Sequence, residues 1–334
     1  MKHWMFVFLF GMVGFLGAAE PQAKHVVAVS IDGLRPDAIT QLGPDKAPVL
    51  NGFLRHGAYT LNARTDAHFT NTLPNHTAML TGRGVKGNAG HNYTHNGMPK
   101  RSLHKNKGAY LSSIFDVSHD AGLKTALLAS KAKFMVYMMS WGKDGDGGPD
   151  KTGEDNGKQK IDIGEVQNSD PPTIKNALEA LKARPNFMFV HFRGTDSTGH
   201  KRRWMSEAYL KEVQNRDADL GKIIAAIKAD PQMAKETVVI VTADHGGTGK
   251  GHNKSSDRKN YTIPFLIWGK GVAEGKELYA LNPTRADPGE KQVPYDAPKQ
   301  PIRNGDVANL AARILGLPAV PGSFIGAKQD LKTR

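Results

Sequence analysis

His25-Val26-Val27-Ala28-Val29-Ser30-Ile31 runs directly into Asp32-Gly33. The run is nearly all apolar and shows no in-out alternation, as expected of a strand buried on both faces of a parallel sheet. The same rhythm continues outward from it. Short helices are expected over Ala47–Arg55 and Pro74–Leu80, and a helix over Tyr110–Asp120 closed by Gly122. A strand follows at Lys124–Ala129, then a helix at Pro172–Ala183 leading into a strand at Asn186–Phe192. A long amphipathic helix over Ser206–Ala229 precedes strands at Glu236–Thr242 and Thr262–Trp268, and a last helix spans Asn304–Leu315. Strands alternating with helices predict an α/β fold with a mostly parallel central sheet flanked by helices. In such sheets ligands sit outside the carboxyl ends of the strands, where Asp32, Asp196, Asp244 and His245 all fall.

Two of those ends carry carboxylate and imidazole together: Asp196-Ser197-Thr198-Gly199-His200, and Asp244-His245-Gly246-Gly247 followed by Thr248-Gly249-Lys250-Gly251-His252. The chain has no cysteine. A transition-metal site must therefore use oxygen and imidazole ligands, a set that zinc-like cations accept. Two such segments predict two divalent metal ions in one cleft, zinc first and manganese as the alternative.

The formal net charge of +13 over 334 residues favours anionic partners. The lysines are scattered, with no basic run resembling a nucleic-acid arm, so a small anionic phosphate ester is expected and specific nucleic-acid binding is not. Lys2 and His3 precede an apolar run from Trp4 to Leu16, and Gly17-Ala18-Ala19 supplies small residues. That is the layout of a secretory signal over 1–19. The rival reading is an uncleaved anchor; the run is shorter than the roughly 20 residues a spanning helix needs, which favours cleavage and export to the periplasm or medium with no membrane span afterwards. Residues 20–334 read as one catalytic domain. The Gly142–Lys160 and Leu281–Gln300 stretches read as loops. Asp144, Asp146 and Asp150 raise a calcium reading, opposed by Pro149 where an EF-hand loop needs glycine.

Thr72-Leu73-Pro74-Asn75-His76 places a hydroxyl just before a helix N-terminus, where free N–H groups and the helix dipole suit an anion. From spacing alone Thr72 is either an N-cap or a nucleophile. Thr70, two residues upstream, has no expected role. His76 and His191 read as packing or supporting residues, and Trp204 and Tyr209 as cleft-rim or packing residues.

Taken in order, Asp32-Gly33-Leu34-Arg35, Thr72-Leu73-Pro74-Asn75-His76, Asp196-Ser197-Thr198-Gly199-His200 and Asp244-His245-Gly246 resemble the motifs of the alkaline phosphatase superfamily, and most of all its nucleotide pyrophosphatase/phosphodiesterases. The resemblance implies an alkaline-phosphatase-like sandwich and a two-metal hydrolase of phosphodiesters or nucleotide pyrophosphates, working through a phosphothreonine on Thr72. It implies that Asp196, His200 and a later histidine hold one metal, and that Asp32, Asp244, His245 and the Thr72 oxygen hold the other. His252 lies much closer to His245 than in many relatives, but no histidine follows it, so it is the ligand expected; the other reading is a surface-loop histidine. An asparagine that holds a phosphate oxygen is matched by Asn96, with Asn92 as its rival. A phosphomonoesterase or phosphonate hydrolase of the same superfamily is the alternative. A sulfatase fits less well, because Thr72 replaces the Cys or Ser that matures to formylglycine. A non-catalytic secreted metal-binding protein is the reading from another class.

Overall fold

The computed structural model describes residues 20–150 and 157–334, so the leader expected over 1–19 lies outside the described residues. Strand β1 (His25–Ile31) is buried at every position. It lies inside one eight-stranded sheet with β2 (Ala58–Arg64), β3 (Thr125–Ala129), β4 (Ile163–Val166), β5 (Phe187–Phe192), β6 (Thr237–Thr242), β7 (Thr262–Gly269) and β8 (Lys276–Glu277). The order is β4-β3-β5-β1-β6-β7-β2-β8. Only β7 runs against its neighbours; every other pairing is parallel.

Helices cover both faces. Asp170–Lys182 and Glu207–Ala229 pack together on one side, and Thr72–Thr81, Ile114–His119 and Asp306–Ile314 on the other. Val27, Val29, Ile31, Phe187, Phe189, Phe192, Val239 and Val241 are all buried between them. Each such side chain contributes about 1.5–3 kcal/mol by leaving water. That rigid core fixes the strand ends. Ser30 lies level with His191 of β5 and with Thr242 of β6, so Asp32, the Asp196 segment and Asp244 leave the sheet along one edge.

Several local expectations shift. The helix expected from Tyr110 begins at Ile114, because Ser113 takes the N-cap and forms a reciprocal capping box with Asp116. β2 has no β-branched apolar run and only partly alternating burial, so its pattern gives no strand signal. The Asp196–His200 segment, for which no element is expected from the sequence, is part of a helix, Gly194–Arg202. The described part of Gly142–Lys160 carries no helix or strand. Its Asp146 pairs with Ser102 and Lys105, and its Asp150 with Lys160.

Candidate active site

A spacing of four residues puts Asp196 and His200 on one face of the Gly194–Arg202 helix. The helix start is pinned by Asp170, whose carboxylate accepts from the N–H groups of Arg193 and Gly194 at 2.8 and 2.9 Å. Thr195 Oγ1 donates to the Asp32 carbonyl, which draws the helix onto the end of β1. Asp244 closes the other side: its Oδ1 accepts from Gly33 N and His245 N, both at 3.0 Å.

The three expected histidine ligands are held in the same way. Nδ1 of His200 donates to the Lys250 carbonyl at 2.8 Å, Nδ1 of His245 to Gly246 at 2.8 Å, and Nδ1 of His252 to Thr70 at 2.5 Å. A carbonyl can only accept, so Nδ1 carries the proton and Nε2 keeps a lone pair, the arrangement that orients metal-binding imidazoles. His200 Nε2 and His252 Nε2 lie 3.2 and 3.6 Å from Asp196 Oδ1. His245 Nε2 lies 3.5 Å from Asp32 Oδ1, 4.0 Å from Asp196 Oδ1 and 3.2 Å from Asp244 Oδ2. The donor atoms of Asp196, His200 and His252 thus form one compact set, and those of Asp32, Asp196 and His245 another. All six expected Asp and His ligands converge.

Asp32 Oδ1, Asp196 Oδ1, Asp244 Oδ2 and His245 Nε2 are buried without a hydrogen-bond partner among the described residues. Leaving such an atom unpaired costs about 1–3 kcal/mol. Four of them facing one another are a donor set that divalent cations would satisfy. The protonation states suit the task. Burial, then the neighbouring His252, pulls the His245 imidazole down to about 3, and burial lowers His252 as well, so both are neutral at pH 7. Burial acts against the charged form of Asp32, but Lys131 and His191 outweigh it and hold the carboxyl well below its usual range. Burial and the charge of Asp32 push Asp244 the opposite way.

The outer oxygens of these carboxylates are occupied. Lys131 Nζ lies 2.6 Å from Asp32 Oδ2 and 2.7 Å from Asp196 Oδ2. His191 Nε2 donates to Asp32 Oδ2 at 2.9 Å. His76 donates from Nδ1 to the Thr72 carbonyl at 2.8 Å, accepts from Ser30 Oγ at 2.8 Å and stacks edge-on with His191. Both histidines therefore support the site rather than enter it. Lys131 carries no motif of its own. Its sequence signal was its place just past the end of a buried strand, the same place Asp32 holds after β1.

Thr72 is the first residue of its helix, and Asn71 holds the N-cap position without a side-chain cap bond. The N-cap reading of Thr72 thus falls away. Among the described residues neither its hydroxyl nor its own N–H enters a hydrogen bond, and its carbonyl accepts from His76 Nδ1, which itself lies 3.5 Å from Asp244 Oδ2. Asn96 Oδ1 accepts from the next N–H, that of Leu73, at 2.9 Å, whereas Asn92 is exposed. Thr70 is not idle. It is buried, its Oγ1 donates to the His252 carbonyl, and its own carbonyl holds the His252 ring.

Of the two roles expected for Trp204, packing and cleft rim, the structure shows packing. Its indole is buried, and Nε1 donates to the Gly33 carbonyl at 2.9 Å. A Cβ on Gly33 would come within 3.2 Å of the indole, on Gly199 within 2.6 Å and on Gly247 within 2.1 Å. The ring also stands edge-on to His200 and His252 at centroid distances of 5.1 and 6.0 Å. The chain turns it inward through left-handed Arg203 and Met205, with φ of +79° and +63°. Such residues cost on the order of 1–3 kcal/mol each.

Residues 26–304 match the type I phosphodiesterase / nucleotide pyrophosphatase family. The chain belongs to that family. Among its relatives, GPI ethanolamine phosphate transferase 1 of Neurospora crassa is 32% identical over 157 residues, covering 46% of this chain and 15% of that protein. The mouse protein of the same name is 24% identical over 329 residues, covering 92% of this chain and 33% of its own length. The chain therefore spans a minor part of these relatives. Murine ectonucleotide pyrophosphatase/phosphodiesterase 5, solved as an inactive form in complex with AMP, superposes with a TM-score of 0.60 at 15% identity, over 92% of this chain and 99% of that one. The fold is that of the alkaline phosphatase superfamily.

Proposed function

We propose that the protein is an exported two-metal phosphoric ester hydrolase that cleaves phosphodiesters or nucleotide pyrophosphates through a phosphothreonine on Thr72. The observation that carries this reading is the inward-facing set of four unpaired donor atoms, Asp32 Oδ1, Asp196 Oδ1, Asp244 Oδ2 and His245 Nε2, beside a helix that begins at Thr72. Asp196, His200 and His252 would hold one cation, and Asp32, Asp244, His245 and the Thr72 oxygen the other. Zinc or manganese bound there would neutralise phosphoryl charge and make the Thr72 hydroxyl a better nucleophile. The Thr72 oxygen would form a bond to phosphorus as the P–O bond to the leaving group breaks, an alcohol from a phosphodiester or a phosphate from a pyrophosphate, and the hydroxyl proton would pass to the leaving group or to solvent. The Thr72 N–H at the helix N-terminus and the Asn96 amide donate to a phosphoryl oxygen whose charge grows as the bond forms. Water then releases phosphate or a monoester. Residues 1–19 act as the leader, residues 20–334 as the catalytic domain, and the partner is a small anionic phosphate ester.

The sequence relatives favour one second reading: the same Thr72 intermediate could be passed to an alcohol instead of water, as in a phosphoethanolamine transferase. Rates on an aryl phosphodiester and an aryl phosphate monoester, with zinc or manganese added, test the first reading. Adding ethanolamine or methanol separates the second, because a transferase diverts product to the alcohol. A metal-loaded protein inert on both esters would leave a binding role for the site.

A further inference from the structure

We infer that Lys131 is a resident cation of the metal centre, bound across two carboxylates that serve different metals and keeping the site folded before either metal arrives. The inference rests on the two-metal reading above. Lys131 lies just past the end of β3 with its side chain 10% exposed. A buried ammonium is costly unless its charge is answered. Here it is answered twice, by Asp32 Oδ2 and by Asp196 Oδ2. Each carboxylate presents its other oxygen to the imidazoles, and those Oδ1 atoms are the unpaired ones. The lysine thus lies on the far side of the carboxylates from the imidazole nitrogens, and leaves the inward oxygens to a metal.

The charges explain why such a residue is useful. Asp32, Asp196 and Asp244 are buried together, and Asp244 has only the N–H groups of Gly33 and His245 on its outer oxygen. With no metal bound, Lys131 offsets part of the negative charge that Asp32 and Asp196 place side by side. It also links the end of β1 to the helix carrying His200, so the two donor sets keep their spacing. With two divalent cations present the same ammonium opposes them. Lys131 therefore weakens metal binding while it stabilises the metal-free protein, and leaves the loaded centre one unit more positive toward an anionic phosphoryl group.

The test compares wild type and Lys131→Met, each stripped of metal and each saturated with zinc, by thermal melting and by zinc competition with a chromogenic chelator. Metal-free K131M should melt on the order of 5–10 °C below metal-free wild type, with a clearly smaller loss in the zinc-loaded pair. K131M should hold zinc roughly ten- to hundredfold more tightly. Equal losses in both states, or zinc held no more tightly than by wild type, overturn the assignment and leave Lys131 as a packing residue. A K131M protein that is soluble only when produced with zinc shows the expected dependence in its extreme form. Lys131→Gln keeps N–H donors without the charge and should behave as K131M does; wild-type metal-free stability in K131Q would overturn the assignment too. A wild type whose melting ignores both zinc and manganese instead overturns the two-metal reading itself.

Discussion

Lys133 donates to the side-chain oxygen of Asn96 at 2.9 Å. The Leu73 N–H fills the same oxygen from the other side, also at 2.9 Å. With both donors on Oδ1 the amide orientation is fixed, and its NH2 end stays available to the phosphoryl oxygen proposed to bind beside Thr72. Burial and the charge of Lys131 pull the Lys133 ammonium down to about 8, so near neutral pH it is mostly charged and a strong donor.

This pairing gives a coupled prediction. Asn96→Ala should cost on the order of 10² to 10³ in rate with metal content unchanged. Lys133→Met should also slow turnover, but add little to the Asn96→Ala variant. A double-mutant cycle on kcat should show a coupling of about 1 kcal/mol or more. Additive losses would mean that Lys133 acts on substrate directly and not through Asn96.

Thr72→Ala should fold, bind metal and lose nearly all turnover, while Thr72→Ser keeps part of it. Acid-quenched wild type should carry phosphate on Thr72 if the second step is slow. Thr70 cannot serve as a silent control, because it grips His252 from both its hydroxyl and its carbonyl. Thr70→Val should retain Thr72 chemistry yet lower zinc affinity at the His200–His252 site. Elemental analysis beside steady-state rates separates the two effects.

Chelation should abolish hydrolysis, with zinc or manganese restoring it, and His252→Ala should reduce zinc from two ions to one. The pH dependence has a definite sign. The Asp196 carboxylate, 3.2 Å from Nε2 and able to accept a hydrogen bond from the ring once it is protonated, outweighs desolvation and raises the His200 imidazole above its ordinary value in the metal-free protein. A protonated imidazole cannot ligate, so affinity at this site should rise with pH through that pKa and fall below it. His245 and His252 carry no proton at neutral pH and add nothing to the slope there. Zinc titrations between about pH 5.5 and 8 check this.

His191→Phe removes the N–H on Asp32 Oδ2 while keeping an aromatic ring against Phe134. The loss of such an outer hydrogen bond should weaken metal binding about 10- to 100-fold. Isothermal titration of the metal-free variant reads it out; unchanged affinity would show that Lys131 alone fixes the Asp32 carboxylate.

The parts of this molecule legible in its sequence are those where one physical cause acts alone. β1, β5 and β6 read as buried strands because apolar residues dominate them without in-out alternation, and the Asp and His groups at their ends could be placed by that fact. The Asp196–His200 helix was missed because Gly, Ser and Thr dominate it; Asp170 and packing, not propensity, hold it. β2 was missed because its strand pairing with β7, not its composition, makes it a strand. Lys131 was overlooked because a lysine in Ser-Lys-Ala-Lys-Phe looks like surface unless its place just past a buried strand is weighed. The roles of Thr70 and Trp204 depend on contacts across long stretches of chain, which no local pattern encodes.

The glycines in three of the recognisable motifs are, in large part, the negative image of one tryptophan. Gly33, Gly199 and Gly247 come from segments far apart in the chain, and each leaves space that the Trp204 indole fills. The three cannot drift independently: a methyl group on Gly199 or Gly247 must be answered by moving the ring, and with it the walls behind His200 and His252, while one on Gly33 presses on both the ring and Asp196. A designer grafting this donor set onto another sheet would have to transplant the tryptophan together with its two left-handed neighbours, since ligands copied without that wedge would keep their identities and lose their aim.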